Sequence, residues 1–309
     1  MVGTADANIA ASPRRFRLCG PGALLMTVRR SARVTRRATS ARRRRLGQHF
    51  LRDAGAIARL VTAIAPHPHD RFCEIGPGDG ALTGALLPCV ARLVAVELDA
   101  RLARLLRRRH AGDPRLTLIE ADALHVDLDR LHDALGRGPA RGRFRVAGNL
   151  PYRVATAILT RLLPASDHIT DVTCLVQEEV ADRLTAGPDT PAYGALSVFV
   201  RLHAVPSALF RLRPGAFSPP PAVNSKVVRF ALQPAADPGR RARAVSLARA
   251  GFSSRRKRFL NALAGSGEDT RAVREAKARL DLPDTLRAQQ MPAEAFLALA
   301  DLLPAPAAS

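Results

Sequence analysis

The sequence predicts an α/β protein built on a mostly parallel sheet, followed by a small all-helical C-terminal domain. Three observations carry this. Short apolar runs alternate with helix-like stretches from Leu46 onward, a glycine-rich turn joins the first of those runs to the helix behind it, and beyond Pro234 every patterned segment has helical spacing. Strands that alternate with helices form βαβ units. Their parallel sheet is buried on both faces, so its strands read as continuous apolar runs.

The first 45 residues carry twelve Arg against one acid, Asp6, and follow neither a helical nor a strand period. Such a segment is expected to be a disordered basic tail. Its composition also resembles an organelle transit peptide. The run LCGPGALLMTV faintly resembles a secretory signal broken by Gly-Pro-Gly, and translation from Met26 would remove part of the segment.

The runs RFCEIG (71–76), RLVAVEL (92–98), LTLIEA (116–121), FRVAGN (144–149) and VTCLVQ (172–177) are expected as strands. Between them AIARLVTAIA, ALTGALLPCV, RLARLLRRRH and ATAILTRLL have helical character. ALSVFVRLHA (195–204) and SKVVRFALQ (225–233) read as two further strands, added antiparallel at one edge to give seven. RRARAVSLARAGFSS, TRAVREAKARL and PAEAFLALADLL are helical patterns separated by Gly, Pro and Ser. The expected organisation is a tail over 1–45, a sheet domain over 46–234 and a helical domain over 235–309.

At 47% apolar residues the chain is globular, and none of its apolar runs reaches a membrane-spanning length. The net charge of +21 creates a field that attracts polyanions, which suits a nucleic-acid partner as well as a generic solvated surface. Cys19, Cys73, Cys89 and Cys174 show no metal-ligand spacing, so a reducing, cytoplasmic compartment and no metal are expected.

Two stretches carry chemistry. EIGPGDGALTGAL (74–86) lets backbone pass close to a ligand at a helix N-terminus. Its Gly76-x-Gly78-x-x-Ala81 spacing also satisfies a loose nicotinamide-dinucleotide fingerprint, so that reading stays open. Glu97 ends the second strand, where an acid accepts hydrogen bonds from ribose hydroxyls, and Asp122 ends the third, within reach of an adenine amino group. An acid after each of three strands (Glu74, Glu97, Asp122), with nothing positive in the turn, suits an adenosyl ligand that bears a cationic centre and lacks phosphate. The alternative is three solvated strand ends.

The second stretch is GNLPYRVAT (148–156). Pro151 removes a donor and pushes Leu150 out of helical geometry, so Asn149 and Tyr152 sit on a stiff corner. The nitrogen of an exocyclic base amine is a poor nucleophile because its lone pair is delocalised into the ring. Neutral oxygens that accept its N–H bonds favour a pyramidal nitrogen. The Asn149 side chain and a carbonyl of Leu150 or Pro151 are suited to this, and Tyr152 to stacking on the base. An ordinary Asn-x-Pro turn is the alternative.

RRRLGQHFL, EIGPGDGALT, VELD, EADAL, GNLPYRVAT, FSPPPAVNSKVV and FSSRRKRFLNAL occur in this order. Together they resemble the ribosomal RNA adenine N6-dimethyltransferases over about residues 42–300. The resemblance implies a class I S-adenosylmethionine-dependent methyltransferase, Rossmann-like with a mostly parallel seven-stranded sheet. It implies that His49, Leu51, Gly76, Glu97, Asp122 and Asn149 contact S-adenosyl-L-methionine. Asn149, Leu150, Pro151 and Tyr152 would hold the target adenine, with Phe217 as a second aromatic. Arg255, Arg256, Lys257 and Arg258 would meet rRNA phosphates.

The implied substrate is a pair of adjacent adenosines in the 3′-terminal hairpin of small-subunit (16S) rRNA. The enzyme would act as a monomer on a pre-assembled 30S particle during ribosome biogenesis. Two alternatives are a large-subunit (23S) rRNA dimethyltransferase giving macrolide resistance and a factor that chiefly binds small-subunit precursors. The NLPY turn and the RRK-x-x-x-N segment favour the small-subunit enzyme. His49 stands where the family usually has Asn, and Asn224 where an acid is common.

Overall fold

The computed structural model describes residues 48–136, 142–234, 236–254 and 257–303. The tail over 1–45, Cys19, Arg255 and Arg256 lie outside the described residues.

The described chain enters through a short strand, β1 (Phe50–Leu51), and α1 (Ala54–Ile64), whose first turn is capped by the Asp53 carboxylate accepting from the Ala56 N–H. Four βα units follow: β2 (Arg71–Ile75) and α2 (Ala81–Leu86), β3 (Arg92–Glu97) and α3 (Ala100–Arg109), β4 (Leu116–Glu120) and α4 (Leu128–Leu135), β5 (Phe144–Asn149) and α5 (Ala155–Leu162). Then come β6 (Ile169–Gln177), α6 (Glu178–Thr185), α7 (Ala195–His203), β7 (Ala204–Leu212), β8 (Phe217–Ser218) and β9 (Ser225–Leu232). The large sheet has seven strands in the order β4-β3-β2-β5-β6-β9-β7. The first five run parallel, and β9 and β7 add antiparallel at one edge. β1 and β8 form a separate two-stranded ribbon.

One expectation is corrected. ALSVFVRLHA is not a strand: residues 195–203 form α7, and the edge strand starts at Ala204. A continuous apolar run suits a buried helix as well as a buried strand. Here the Ser197 hydroxyl accepts the Gly194 N–H and donates to the Arg183 carbonyl, which fixes the helix start. The strand that replaces it, AVPSALFRL, contains Pro206, which an edge position tolerates.

From Pro238 the described elements are helical: α8 (Pro238–Phe252), α9 (Phe259–Ala264), α10 (Thr270–Arg279) and α11 (Ala293–Leu302). They are not separated from the sheet by a polar gap. Val172, Phe230 and Val200 belong to the same apolar cluster as Ala248, Phe259 and Phe296. On the other face of the sheet a second cluster packs α1 and α2 onto Phe72, Leu93, Ala147 and Leu175, and includes Leu51 and Phe217 of the small ribbon. Cys73 and Cys174 are fully buried within strands, where burial pushes their thiols far up and leaves them inert.

Candidate active site

The strand order reverses between β2 and β5, and chain connections leave to opposite sides there. In open parallel sheets that point opens a crevice at the carboxyl ends of the strands. A cavity of about 450 Å³ lies at it. Its walls come from Gly76–Asp79 after β2, Glu97 and Leu98 at the end of β3, Asp122 after β4, and Asn149–Val154 after β5. Gln48–Leu51 of the entering strand close one side.

The end formed by β2 and β3 is built by backbone. Glu97 is buried, and its two carboxylate oxygens accept the N–H groups of Gly78 (3.0 Å) and Asp99 (2.8 Å). Burial pushes its carboxyl upward, and those two bonds oppose the shift. Each carboxylate oxygen keeps a lone pair for a further donor. Gly78 has φ +61°, and a Cβ there would lie 2.8 Å from the Phe50 ring. A side chain at 78 would therefore expel Phe50 from the wall. Glu74, one strand end away, is also buried and accepts the Thr83 hydroxyl at 2.7 Å. Burial pushes its carboxyl up to about 8, opposed by the Thr83 bond and reinforced by the charges of Glu97 and Asp79. Asp122 is more open: one oxygen accepts the Leu124 N–H at 2.9 Å, and the other lies 3.4 Å from His125 Nδ1.

The corner after β5 is held by side chains. Gly148 is required there, because a Cβ would sit 2.4 Å from the Ile75 carbonyl oxygen. That close approach brings Asn149 up to the end of β2. Asn149 Nδ2 donates to the His49 carbonyl at 2.7 Å. This bond fixes the flip of the amide, and among the described residues no donor meets its Oδ1. The Pro151 carbonyl accepts the Val154 N–H at 3.0 Å, which takes it up in the turn. The Leu150 carbonyl meets no donor among the described residues. Tyr152 lies half-buried with its hydroxyl 2.6 Å from Ser225 Oγ. Its ring stacks on His49, whose Nδ1 lies 2.8 Å from the Pro219 carbonyl.

The cavity thus gathers His49, Leu51, Gly76, Glu97, Asp122, Asn149, Leu150, Pro151 and Tyr152. It does not gather Phe217. That ring is 4% exposed and packs beneath the ribbon, where Phe217 pairs with Leu51. Lys257 and Arg258 are exposed at the start of α9, away from the cavity wall.

Sequence reasoning missed one wall residue and two that hold the wall in place. Ser225 and Pro219 anchor Tyr152 and His49 through contacts across the fold that no local pattern announces. Leu98 had a signal, an apolar residue between Glu97 and Asp99, and it lines the cavity while 56% exposed. Asn224 also gains a place: its Nδ2 donates to the Glu178 carboxylate at 3.0 Å, and its carbonyl accepts the Glu178 N–H, also at 3.0 Å. It ties the loop before β9 to α6. Among the described residues no cluster of three His, Cys, Asp or Glu side chains is placed to hold a metal. No described helix is long and apolar enough to cross a membrane.

Residues 39–303 match the family described as Ribosomal RNA adenine dimethylase. The chain belongs to that family. Relatives in it include the ribosomal RNA small subunit methyltransferase A of Geobacter sulfurreducens, 39% identical over 83% of this chain and 93% of that protein. The protein of the same name from Methylococcus capsulatus is 44% identical over 75% of this chain and 88% of its own. Among solved structures, a Plasmodium falciparum dimethyladenosine transferase superposes with TM-score 0.70 at 21% identity, over 81% of this chain and 96% of that one. The 23S rRNA methyltransferase ErmE superposes with TM-score 0.63 at 25% identity, over 82% and 99%. An adenine dimethylase fold is therefore the frame for the cavity, and the nicotinamide reading of the glycine turn falls away. Within that frame the His49 ring lies against Tyr152.

Proposed function

We propose that this rRNA adenine dimethylase converts two adjacent adenosines of the small-subunit rRNA 3′-terminal hairpin to N6,N6-dimethyladenosine. Its methyl source is S-adenosyl-L-methionine, and it acts on assembled small-subunit particles. The observation that carries the reading is the fixed amide of Asn149. With Nδ2 committed to the His49 carbonyl, Oδ1 is the atom presented to a ligand.

The walls fit an adenosyl sulfonium ligand. They carry the carboxylates of Glu97 and Asp122 at two strand ends, the exposed Leu98 between two acids, and a glycine turn that a Cβ would fill. Glu97 would hold the ribose and Asp122 the adenine amino group, with Gly76, Leu51 and His49 on the remaining walls. When bound, the cofactor supplies an electrophilic methyl group.

The chain's own residues do the rest. Asn149 Oδ1 and the Leu150 carbonyl accept the two N–H bonds of the target amine, so the nitrogen becomes pyramidal and its lone pair turns toward the donor. Both oxygens are neutral, so neither must change protonation state. Pro151 stiffens the corner, and Tyr152 braces the base once it has left its stack. Alignment supplies most of the rate, since no strong base is needed to remove a proton from the product ammonium. The helical segment from about residue 235 would form the RNA-gripping domain, with Arg255, Arg256, Lys257 and Arg258 against phosphates. A second role, holding small-subunit precursors during assembly, is compatible with the same surface. The protein would act as a cytoplasmic monomer.

Small-subunit rRNA is favoured over large-subunit rRNA because the relatives at 39% and 44% identity carry the small-subunit name. Mapping methyl-adenines on small-subunit particles from cells lacking this gene tests the reading. The two dimethyladenosines should be missing and return on complementation. Their persistence without the gene, or new methylation confined to large-subunit rRNA, would overturn it.

A further inference from the structure

The second aromatic expected at Phe217 is absent from the cavity wall, yet Tyr152 is not alone. The His49 imidazole lies against its ring, with centroids 5.4 Å apart and planes inclined by 27°. Both side chains line the same cavity, so a base that enters it meets the two rings together. At a plane spacing of about 3.5 Å, a separation of this size means a sideways offset of about 4 Å. The imidazole therefore covers one edge of the tyrosine ring and leaves the remainder open. A purine laid on the open part lies in the same layer as the imidazole, edge to edge with it.

The imidazole is not free to drift. A carbonyl oxygen only accepts, so the 2.8 Å contact with the Pro219 carbonyl makes Nδ1 the protonated nitrogen. The backbone is held as well: the His49 carbonyl accepts from Asn149, and Phe50 and Leu51 pair with Ser218 and Phe217. Tyr152 is fixed from the other end by Ser225. Two rings in one corner, each tied to a different segment of the chain, form a plate and a stop.

We propose that His49 is a substrate-positioning residue of the base pocket. Its imidazole is the lateral stop that sets where the target adenine lies on Tyr152, and so where the amine meets Asn149 Oδ1 and the Leu150 carbonyl. This rests on the function proposed above and reassigns the His49 side chain from the cofactor to the base. The backbone of His49 stays where the cofactor end needs it.

The test compares wild type with His49→Ala and His49→Phe. Three quantities are read: methyl transfer to small-subunit particles, affinity for S-adenosylhomocysteine by calorimetry, and fluorescence lifetimes of a hairpin RNA with 2-aminopurine at the target position. His49→Ala should lower kcat about 10- to 100-fold, since misplacement by about 1 Å is costly, with KM and S-adenosylhomocysteine affinity within about twofold of wild type. Its 2-aminopurine lifetimes should broaden from the wild-type distribution. His49→Phe keeps the bulk of the stop and should recover most of kcat and the narrow distribution.

An unchanged kcat in His49→Ala, or a cofactor affinity that falls in step with kcat, would overturn the proposal. So would a KM that rises with kcat unaltered, the mark of a simple stacking plate. Dimethylation by the wild-type control decides the functional reading separately, while the variant-to-wild-type ratios and lifetimes decide the role of His49.

Discussion

The two ends of the cavity are built differently. The cofactor end, from Gly76 to Glu97 and Asp122, is made of residues at or just beyond the ends of neighbouring parallel strands, and its main polar contacts run to backbone N–H groups 2 to 19 positions away. The base corner joins segments that are far apart: Asn149 to His49 across 100 positions, His49 to Pro219 across 170, and Tyr152 to Ser225 across 73. A side-chain hydrogen bond of this kind contributes about 1 kcal/mol net. The cofactor end is thus set by the sheet itself, whereas the base corner is set by a few long-range bonds. Damage to one end should leave the other intact.

The sharpest break is Asn149→Ala. It removes the accepting oxygen and the bond to the His49 carbonyl, and methyl transfer should fall about 10²- to 10³-fold, the scale of losing one aligned transition-state partner. Affinity for S-adenosylhomocysteine should fall far less than transfer does, and single-turnover assays beside calorimetry would read the split. Glu97→Ala is the reverse case. Cofactor affinity should weaken by about 1–3 kcal/mol, the scale of hydrogen bonds to a charged group, while binding to small-subunit particles is kept.

Glu74 adds a pH dependence to the cofactor end. Its carboxyl is pushed up to about 8 in the folded protein, against about 4.3 in an unfolded chain. Between those values the folded state holds a proton that the unfolded state has lost, so folding stability falls as pH rises through the window. Thermal melts of the ligand-free protein from about pH 5 to pH 8 should show that decline, and Glu74→Gln should flatten it. Asn149 Oδ1 and the Leu150 carbonyl carry no charge, so neither adds to that dependence.

The smallest effect belongs to the surface. Lys257→Ala with Arg258→Ala should reduce the slope of log affinity against log salt for particle binding by about one for each phosphate left unneutralised. Cofactor affinity should be unmoved. An unaltered slope would place the phosphate-binding cations on another face.

Legibility followed the same division. Strands β2 to β6 were readable because buried parallel strands are continuous apolar runs, and Gly76, Glu97 and Asp122 were readable because they sit at the strand ends or just beyond them. ALSVFVRLHA misled for the same reason, since a buried helix is equally apolar, and only the hydrogen bonds of Ser197 with Gly194 and Arg183 decide between the two. In the base corner the sequence showed that NLPY is stiff but not what leans on it. Ser225, Pro219 and the ring of His49 reach Tyr152 through folding of distant segments. Phe217 shares its motif with them, yet strand pairing with Leu51 turns it into the core.

The most direct test of the central claim is a crystal structure with S-adenosylhomocysteine and an oligonucleotide bearing the target adenosine. Its ribose should lie on Glu97, and the adenine N6 should lie within hydrogen-bonding distance of both Asn149 Oδ1 and the Leu150 carbonyl, with the base against Tyr152. A cofactor product bound away from residue 149, or an adenine amine that meets neither oxygen, would contradict the account.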